Sequence, residues 1–176
     1  MAGDKGGGKR TQNGASGVES GVIRIGVISD THDFFDPKIR ELFKGVDHII
    51  HCGDIGLPWI ILQLEEIAPV TAVVGNADET GINYKETELA QIGARKFLVH
   101  HIVDPKNLND KIKRKIIREN PDVVVFGHTH KPFCETIGNT LYLNPGYAGR
   151  QRFELPRTLA ILTCDEQGMT ADFLEL

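Results

Sequence analysis

Short runs of β-branched residues that stop abruptly at polar residues are the feature that most constrains this chain. Three such runs, separated by helical segments, occupy residues 22–29, 48–52 and 70–74. Asp36-Pro37 and Pro58 mark where the two intervening helices begin, since proline is favoured in the first helical turn. Strands and helices that alternate in this way predict parallel strands covered by helices.

The second half of the chain predicts antiparallel pairs around one further helix and one further buried strand. The pairs are expected at 86–92 with 95–100, at 134–137 with 140–143, and at 159–164 with 170–174. Asp104-Pro105 predicts the start of a helix that runs to about Glu119, and residues 122–126 read as a buried strand. These elements fit an α/β fold in which two mixed sheets pack together with helices outside.

Length and composition favour one folded domain with an unstructured leading segment. A chain of 176 residues is sufficient for one domain and short for two. We expect residues 21–176 to form that single domain. Residues 1–20 carry very few apolar side chains, so we expect a flexible tail, either native or added for expression.

Charge and cysteine content exclude several classes of protein. A formal net charge of −4 argues against binding to bulk nucleic acid or to an anionic membrane. No apolar run approaches the ~18 residues of a membrane span. Three cysteines without CxxC spacing favour reduced thiols, so we expect a cytoplasmic protein rather than a disulfide framework or zinc knuckle.

Carboxylate, imidazole and amide side chains follow the ends of the predicted strands. In parallel α/β sheets, ligands bind beyond the carboxyl ends of the strands, so these side chains are candidate metal ligands. Mixed oxygen and nitrogen donors without a thiolate suit Mn, Fe, Zn or Co. Seven donors exceed the needs of one tetrahedral ion and match two ions that share a carboxylate. The candidates are Asp30, His32, Asp54, Asn76, His100, His128 and His130.

Taken singly, most of these motifs have an ordinary structural explanation. Gly53-Asp54 and Gly75-Asn76 are common turn dipeptides, and an aspartate at a strand end often caps a turn. His128 and His130, two imidazoles just beyond a buried strand, are harder to explain structurally. The joint occurrence of the motifs at the same end of each strand favours the metal site.

The ordered motifs D-x-H, GD, GN, H and GHTH resemble those of the calcineurin-like metallophosphoesterases. The small size and the Asn144-Pro145-Gly146 turn are similar to the YfcE-type phosphodiesterase branch. The resemblance implies a four-layer αββα sandwich with a dinuclear centre. It also implies that Asp30, His32 and His130 hold one ion, that Asn76, His100 and His128 hold the other, and that Asp54 bridges them.

The same resemblance implies a metal-dependent phosphodiesterase in which a metal-bridging hydroxide attacks a small phosphate ester. Manganese is the expected metal, with Ni, Co, Zn and Fe as alternatives. Many larger relatives have histidine after the Gly-Asn pair, where this chain has Ala77, so the proton for the leaving group needs another source. We therefore expect diesters to be preferred over unactivated monoesters.

Several assignments stay open at the level of sequence. His101 stands where YfcE-type relatives usually have glycine; it is either a substitute acid or a surface histidine that points away from His100. Arg150 and Arg152 either contact the phosphate of the substrate or are solvent-exposed. The alternative functions are an interaction scaffold, like the retromer subunit of the same fold, and a nuclease. The protein is expected to be a monomer or a homodimer.

Overall fold

Two five-stranded mixed sheets form the centre of the fold, in a computed structural model that describes residues 21–78, 83–152 and 154–176. The first half contributes β1 (Ile23–Ile28), α1 (Lys38–Leu42), β2 (His48–His51), α2 (Trp59–Glu65), β3 (Val70–Ala72), β4 (Thr87–Ile92) and β5 (Arg95–His100). The second half contributes α3 (Asp110–Glu119), β6 (Val123–Val125), β7 (Pro132–Ile137), β8 (Thr140–Pro145), β9 (Thr158–Cys164) and β10 (Met169–Glu175). The predicted tail at 1–20 lies outside the described residues.

The strand order is β10-β9-β1-β2-β3 in one sheet and β4-β5-β6-β8-β7 in the other. Strands β1, β2 and β3 are parallel, as are β5, β6 and β8, and the remaining pairs are antiparallel. The expectation of two mixed sheets is thereby confirmed. The carboxyl ends of the parallel strands of both sheets lie at one edge of the fold, where ligand sites of α/β proteins form.

In the described part of the chain, three apolar clusters separate the four layers. Side chains such as Ile25 and Val27 of β1 meet Phe97 and Val99 of β5 between the sheets. A second cluster packs α1 and α2 on the outer face of the first sheet, and a third packs the α3 side against the second sheet. Because the central strands are buried on both faces, they carry apolar residues at consecutive positions.

Helix α3 begins later than its sequence predicts. Asp104 and Pro105 form a turn, in which the Asn107 amide donates to the carbonyl of Asp104. Asn109 has extended backbone angles and accepts a hydrogen bond from the Ile112 amide at 2.9 Å, so Asn109 is the N-cap. The predicted start at Asp104 is therefore wrong by about one and a half turns.

None of the helices in the described ranges has the length and apolar character of a bilayer span. The longest of them, α3, has ten residues, and one face of this helix packs against the second sheet.

Candidate metal centre

The loop after β1 delivers Asp30 and His32 to the edge where both sheets end. Asp30 is fully buried and lies immediately beyond the buried end of the strand. Both residues adopt left-handed backbone angles, with φ of 54° and 43°. Such angles are costly for residues other than glycine and concentrate at functional sites. Backbone hydrogen bonds from the Asp30 amide to Gly53 and from the His32 amide to Asp54 join this loop to the loop after β2.

The loop after β6 brings His130 to the same place. The Nε2 atom of His130 lies 3.2 Å from Oδ1 of Asp30, and that of His32 lies 4.0 Å from the same oxygen. The ring of His130 stacks on Tyr147 at 5.0 Å, which orients it. Asp30, His32 and His130 thus form a compact group whose donor atoms are close enough to share one ion.

The second group contains His101 rather than His100. Nε2 of His101 lies 3.3 Å from Oδ2 of Asp54 and 3.9 Å from Oδ1 of Asp30, and the ring is buried. Its Nδ1 lies 2.7 Å from the carbonyl oxygen of Cys52, so Nδ1 donates there and Nε2 faces the carboxylates. A backbone carbonyl that fixes the ring in this way is typical of metal-binding histidines.

His100 faces the opposite side of its strand. Its Nδ1 lies 2.8 Å from the carbonyl oxygen of Glu86 and 2.9 Å from Oγ1 of Thr87. Neighbouring residues of an extended strand point to opposite faces, so only one of the two histidines can reach Asp54. His101 therefore faces the carboxylates and His100 does not. The two rings point apart, as predicted, but His101 is buried at the cluster and is not a surface histidine.

Asp30 is common to both groups, and Asp54, a member of the second group, also approaches His32 of the first. Its Oδ2 is 3.8 Å from Nε2 of His32 and 3.3 Å from Nε2 of His101, and its Oδ1 accepts the Ala77 amide at 2.8 Å. Burial alone would raise the pKa of Asp54, but the neighbouring imidazole of His101 and the hydrogen bond from the Ala77 amide outweigh it and lower the pKa to about 2. Asp54 is therefore ionised and placed to be shared.

Among the described residues, four buried side-chain polar atoms make no hydrogen bond. Besides Oγ of Ser29 they are Oδ1 of Asp30, Nε2 of His32 and Nε2 of His101, three atoms that belong to this cluster. Buried polar atoms without partners are rare in folded proteins and demand an explanation. Here the orphaned atoms converge, because Oδ1 of Asp30 lies within 4.0 Å of both nitrogens. A bound cation would satisfy all three, so the donor set fits the divalent ions that the sequence predicts.

The remaining predicted ligands border the cluster. The ring of His128 packs edge-on against His101 at 5.4 Å, and the His128 amide donates to Oδ2 of Asp30 at 3.1 Å. Asn76 is exposed and lines a cleft together with His100 and His101. Asp30, His32, Asp54, His128 and His130 thus lie at one place, and Asn76 and His100 line the adjoining cleft.

The two predicted arginines have different surroundings. The guanidinium of Arg150 lies over the ring of Phe34 at 4.9 Å from the centroid. Burial lowers the pKa of His32, and the positive charge of Arg152 lowers it further. Arg152 is therefore close enough to act electrostatically on the cluster, whereas Arg150 is engaged by an aromatic side chain.

Two glycines that resemble ordinary turn residues have a steric function. A Cβ atom at Gly75 would collide with Oδ1 and the backbone nitrogen of Asp54. At Gly127 it would collide with Oγ of Ser29 and with the carboxylate of Asp30. The Gly-Asn and Gly-His pairs therefore keep the backbone close to the two aspartates, which local sequence does not reveal.

His51 is not a candidate ligand, but its hydrogen bonds hold in place the loops that carry the cluster. The Gly53 amide donates to its Nδ1, so Nε2 carries the proton and donates to Thr31 Oγ1, which donates in turn to the Ile55 carbonyl. The ring is fully buried and neutral, and burial lowers its pKa to about 4. This chain of bonds joins the loops that carry Asp30 and Asp54.

We expect His51 to make the fold sensitive to acid. Between pH 6.5 and about 4 the unfolded chain binds a proton at His51 that the folded chain does not, so stability falls as the pH falls. The full loss amounts to about 3 kcal/mol. Urea unfolding of wild type and His51→Gln at pH 7, 5.5 and 4.5 measures it. The variant should lose less stability on acidification, and parallel pH profiles would contradict the assignment.

Comparison with known proteins agrees with this geometry. Residues 23–167 match the calcineurin-like phosphoesterase superfamily domain. A probable metallophosphoesterase of Methanothermobacter thermautotrophicus is 32% identical over 157 residues, which cover 85% of this chain and 91% of that protein. Among solved structures, that of an archaeal phosphodiesterase is 28% identical with a TM-score of 0.71, and covers 88% of this chain and 100% of its own.

Vacuolar protein sorting 29 of Cryptosporidium parvum has a TM-score of 0.70 at 18% identity, over 88% of this chain and 98% of its own. At that identity the likeness is one of fold alone. The family match extends over most of the chain and includes every strand end that contributes to the cluster. The chain therefore belongs to the calcineurin-like phosphoesterase superfamily.

Proposed function

We propose that this protein hydrolyses small phosphodiesters with the help of two divalent metal ions. The observation that carries the proposal is the convergence of three buried, unpartnered atoms from Asp30, His32 and His101. The similarity to an archaeal phosphodiesterase supports the choice of diesters. Manganese is our first choice of metal, with nickel, cobalt, zinc and iron as alternatives that the donor set also suits.

The two ions would have separate ligand groups joined by one carboxylate. Asp30, His32 and His130 would hold the first ion. His101 would take the place assigned to His100 in the second group, together with Asn76 and His128. Asp54, between His32 and His101, would belong to both. Such ions, when bound, activate water and neutralise charge on phosphate oxygens.

The residues of the site would hold the metal ligands in fixed orientations and need not act as general bases. The Ala77 amide and the Cys52 carbonyl fix the orientations of Asp54 and His101. The His128 amide holds one oxygen of Asp30, which leaves the other oxygen free to bind. Fixed donors of this kind lower the reorganisation required when substrate binds.

Residues at the edge of the candidate metal centre would determine how substrate binds and which group donates a proton. Arg152, whose positive charge lowers the pKa of His32, would attract the phosphate of the ester. Ala77 offers only its backbone amide at the position next to Asn76, so this position supplies no acid. A missing general acid costs about 10²- to 10⁴-fold with a poor leaving group. We therefore propose that activated or diester substrates are preferred.

The test is hydrolysis of bis-p-nitrophenyl phosphate by metal-stripped protein before and after Mn²⁺ is added. We expect the rate to rise at least about 100-fold with metal, and an alkyl monoester to be hydrolysed at least about tenfold more slowly than the diester. Folded protein that remains inactive with Mn, Ni, Co and Zn would contradict the proposal and favour an interaction scaffold. Cleavage of polynucleotides faster than of small diesters would favour a nuclease.

The state of the cysteines supports a cytoplasmic location, which we include in the proposal. Cys52, Cys134 and Cys164 are all free, and two of them are buried. Proteins that keep unpaired cysteines are typical of reducing compartments.

A further inference from the structure

A cavity of about 550 Å³ opens beside His128. Most of its wall is apolar, and its volume is within the range of small-molecule sites. The apolar side chains are Ile102, Val103, Pro105, Phe126, Pro132 and Phe133.

The cavity adjoins the candidate metal centre, because His128 lines it and the same two loops contribute to both. Ile102 and Val103 directly follow His101, while Gly127 and His128 belong to the loop after β6. The rings of His101 and His128 are in edge-on contact at 5.4 Å. A phosphate held beside His128 would therefore lie next to the cavity, within reach of one of its substituents.

The wall is suited to a flat aromatic group. Phe126 and Phe133 lie 5.9 Å apart with their rings tilted by 56°, and Ile102 is 44% exposed at the rim. Aromatic rings favour offset or tilted contacts with further rings. The polar part of the lining consists of Asp104, Lys106, His128, Thr129 and Lys131.

We propose that this cavity receives the aromatic substituent of a phosphodiester bound at the metal centre. The inference rests on the proposed function and narrows its substrate class to esters that carry an aryl or heteroaryl group. Contact with the six apolar side chains would leave the hydroxyl groups of a sugar or polyol without hydrogen-bond partners. An aryl group instead gains from removal of its apolar surface from water.

The experiment compares phenylphosphonate with methylphosphonate by calorimetric titration of the Zn²⁺-loaded protein. Both compounds carry the same phosphonate group, so the ratio of their dissociation constants measures what the phenyl ring contributes to affinity. We expect phenylphosphonate to bind about tenfold more tightly, as partial burial of one ring predicts. Phe133→Ala should reduce the ratio to about two.

Ile102→Ser offers a second test, because this residue lies at the exposed rim and its replacement disturbs the core less than that of Phe133. Phe173→Ala is the matched control, since Phe173 lies on β10 in the other sheet and is 37% exposed. The ratio of dissociation constants should fall in Ile102→Ser and should equal that of wild type in Phe173→Ala.

The outcomes separate this inference from the function on which it rests. If methylphosphonate binds and phenylphosphonate binds no more tightly, the proposal of an aromatic subsite is wrong, whereas the proposal of a metal centre is supported. A ratio that neither Phe133→Ala nor Ile102→Ser changes would also overturn the subsite. If neither phosphonate binds and the diester is not hydrolysed with any metal, the proposed function fails together with the inference.

Discussion

Replacing His101 by alanine is expected to lower metal-dependent diester hydrolysis by more than about 100-fold. Loss of a neighbour that merely supports a ligand costs 10- to 100-fold, and His101 is placed as a ligand itself. Its buried Nε2 faces Asp54 at 3.3 Å and makes no hydrogen bond. Rates should be measured across a titration of Mn²⁺, which separates weakened metal binding from loss of activity at saturation.

His100→Ala is the matched control for this prediction, because it removes the adjacent imidazole from the same strand end. The variant loses the contacts to Glu86 and Thr87, which costs about 1 kcal/mol of stability. Its activity at saturating metal should remain within about threefold of wild type, since the ring does not face the carboxylates. A severe loss in His100→Ala with a mild one in His101→Ala would reverse our assignment.

Asp54→Asn is expected to abolish hydrolysis to a similar extent, by more than about 100-fold. Asp54 is the carboxylate that lies between His32 and His101, and its low pKa makes it an anion at neutral pH. An amide keeps the shape but removes the charge that would hold two cations together. Metal content after dialysis should fall in parallel with activity.

The fold should survive this substitution. The amide oxygen of asparagine can still accept the Ala77 amide, which now bonds to Oδ1 of Asp54. Asp172→Asn on β10 is a matched control, because it makes the same chemical change at an exposed position in the first sheet. Full metal binding and activity in Asp54→Asn, with a circular dichroism spectrum like that of wild type, would exclude Asp54 from the centre.

Much of the architecture could be predicted because short stretches of the sequence determine where the strands and helices form. The apolar runs at 22–29, 48–52 and 70–74 contain β1, β2 and β3, and the prolines before α1 and α2 mark where these helices begin. The start of helix α3 was predicted wrongly, because Asp104-Pro105 is typical of a helix start but forms a separate turn here. That turn ends at Asn107, and Asn109 caps the helix.

The sequence by itself determined the kinds of donor at the strand ends: carboxylate, imidazole and amide, each just beyond a run of apolar residues. It could not decide which histidine of the adjacent pair enters the site. Phe97, Leu98 and Val99 are all apolar, so β5 has no polar face that would reveal its orientation.

Only the packing of the two sheets settled that question. Phe97 and Val99 face the layer between the sheets, whereas Leu98 faces the α3 side. His101 continues the first set and His100 the second, because side chains alternate along a strand. The contact between Gly127 and Asp30 likewise joins positions that are distant in the chain. Such contacts form when the strand ends of both sheets meet at one edge, and no local pattern encodes them.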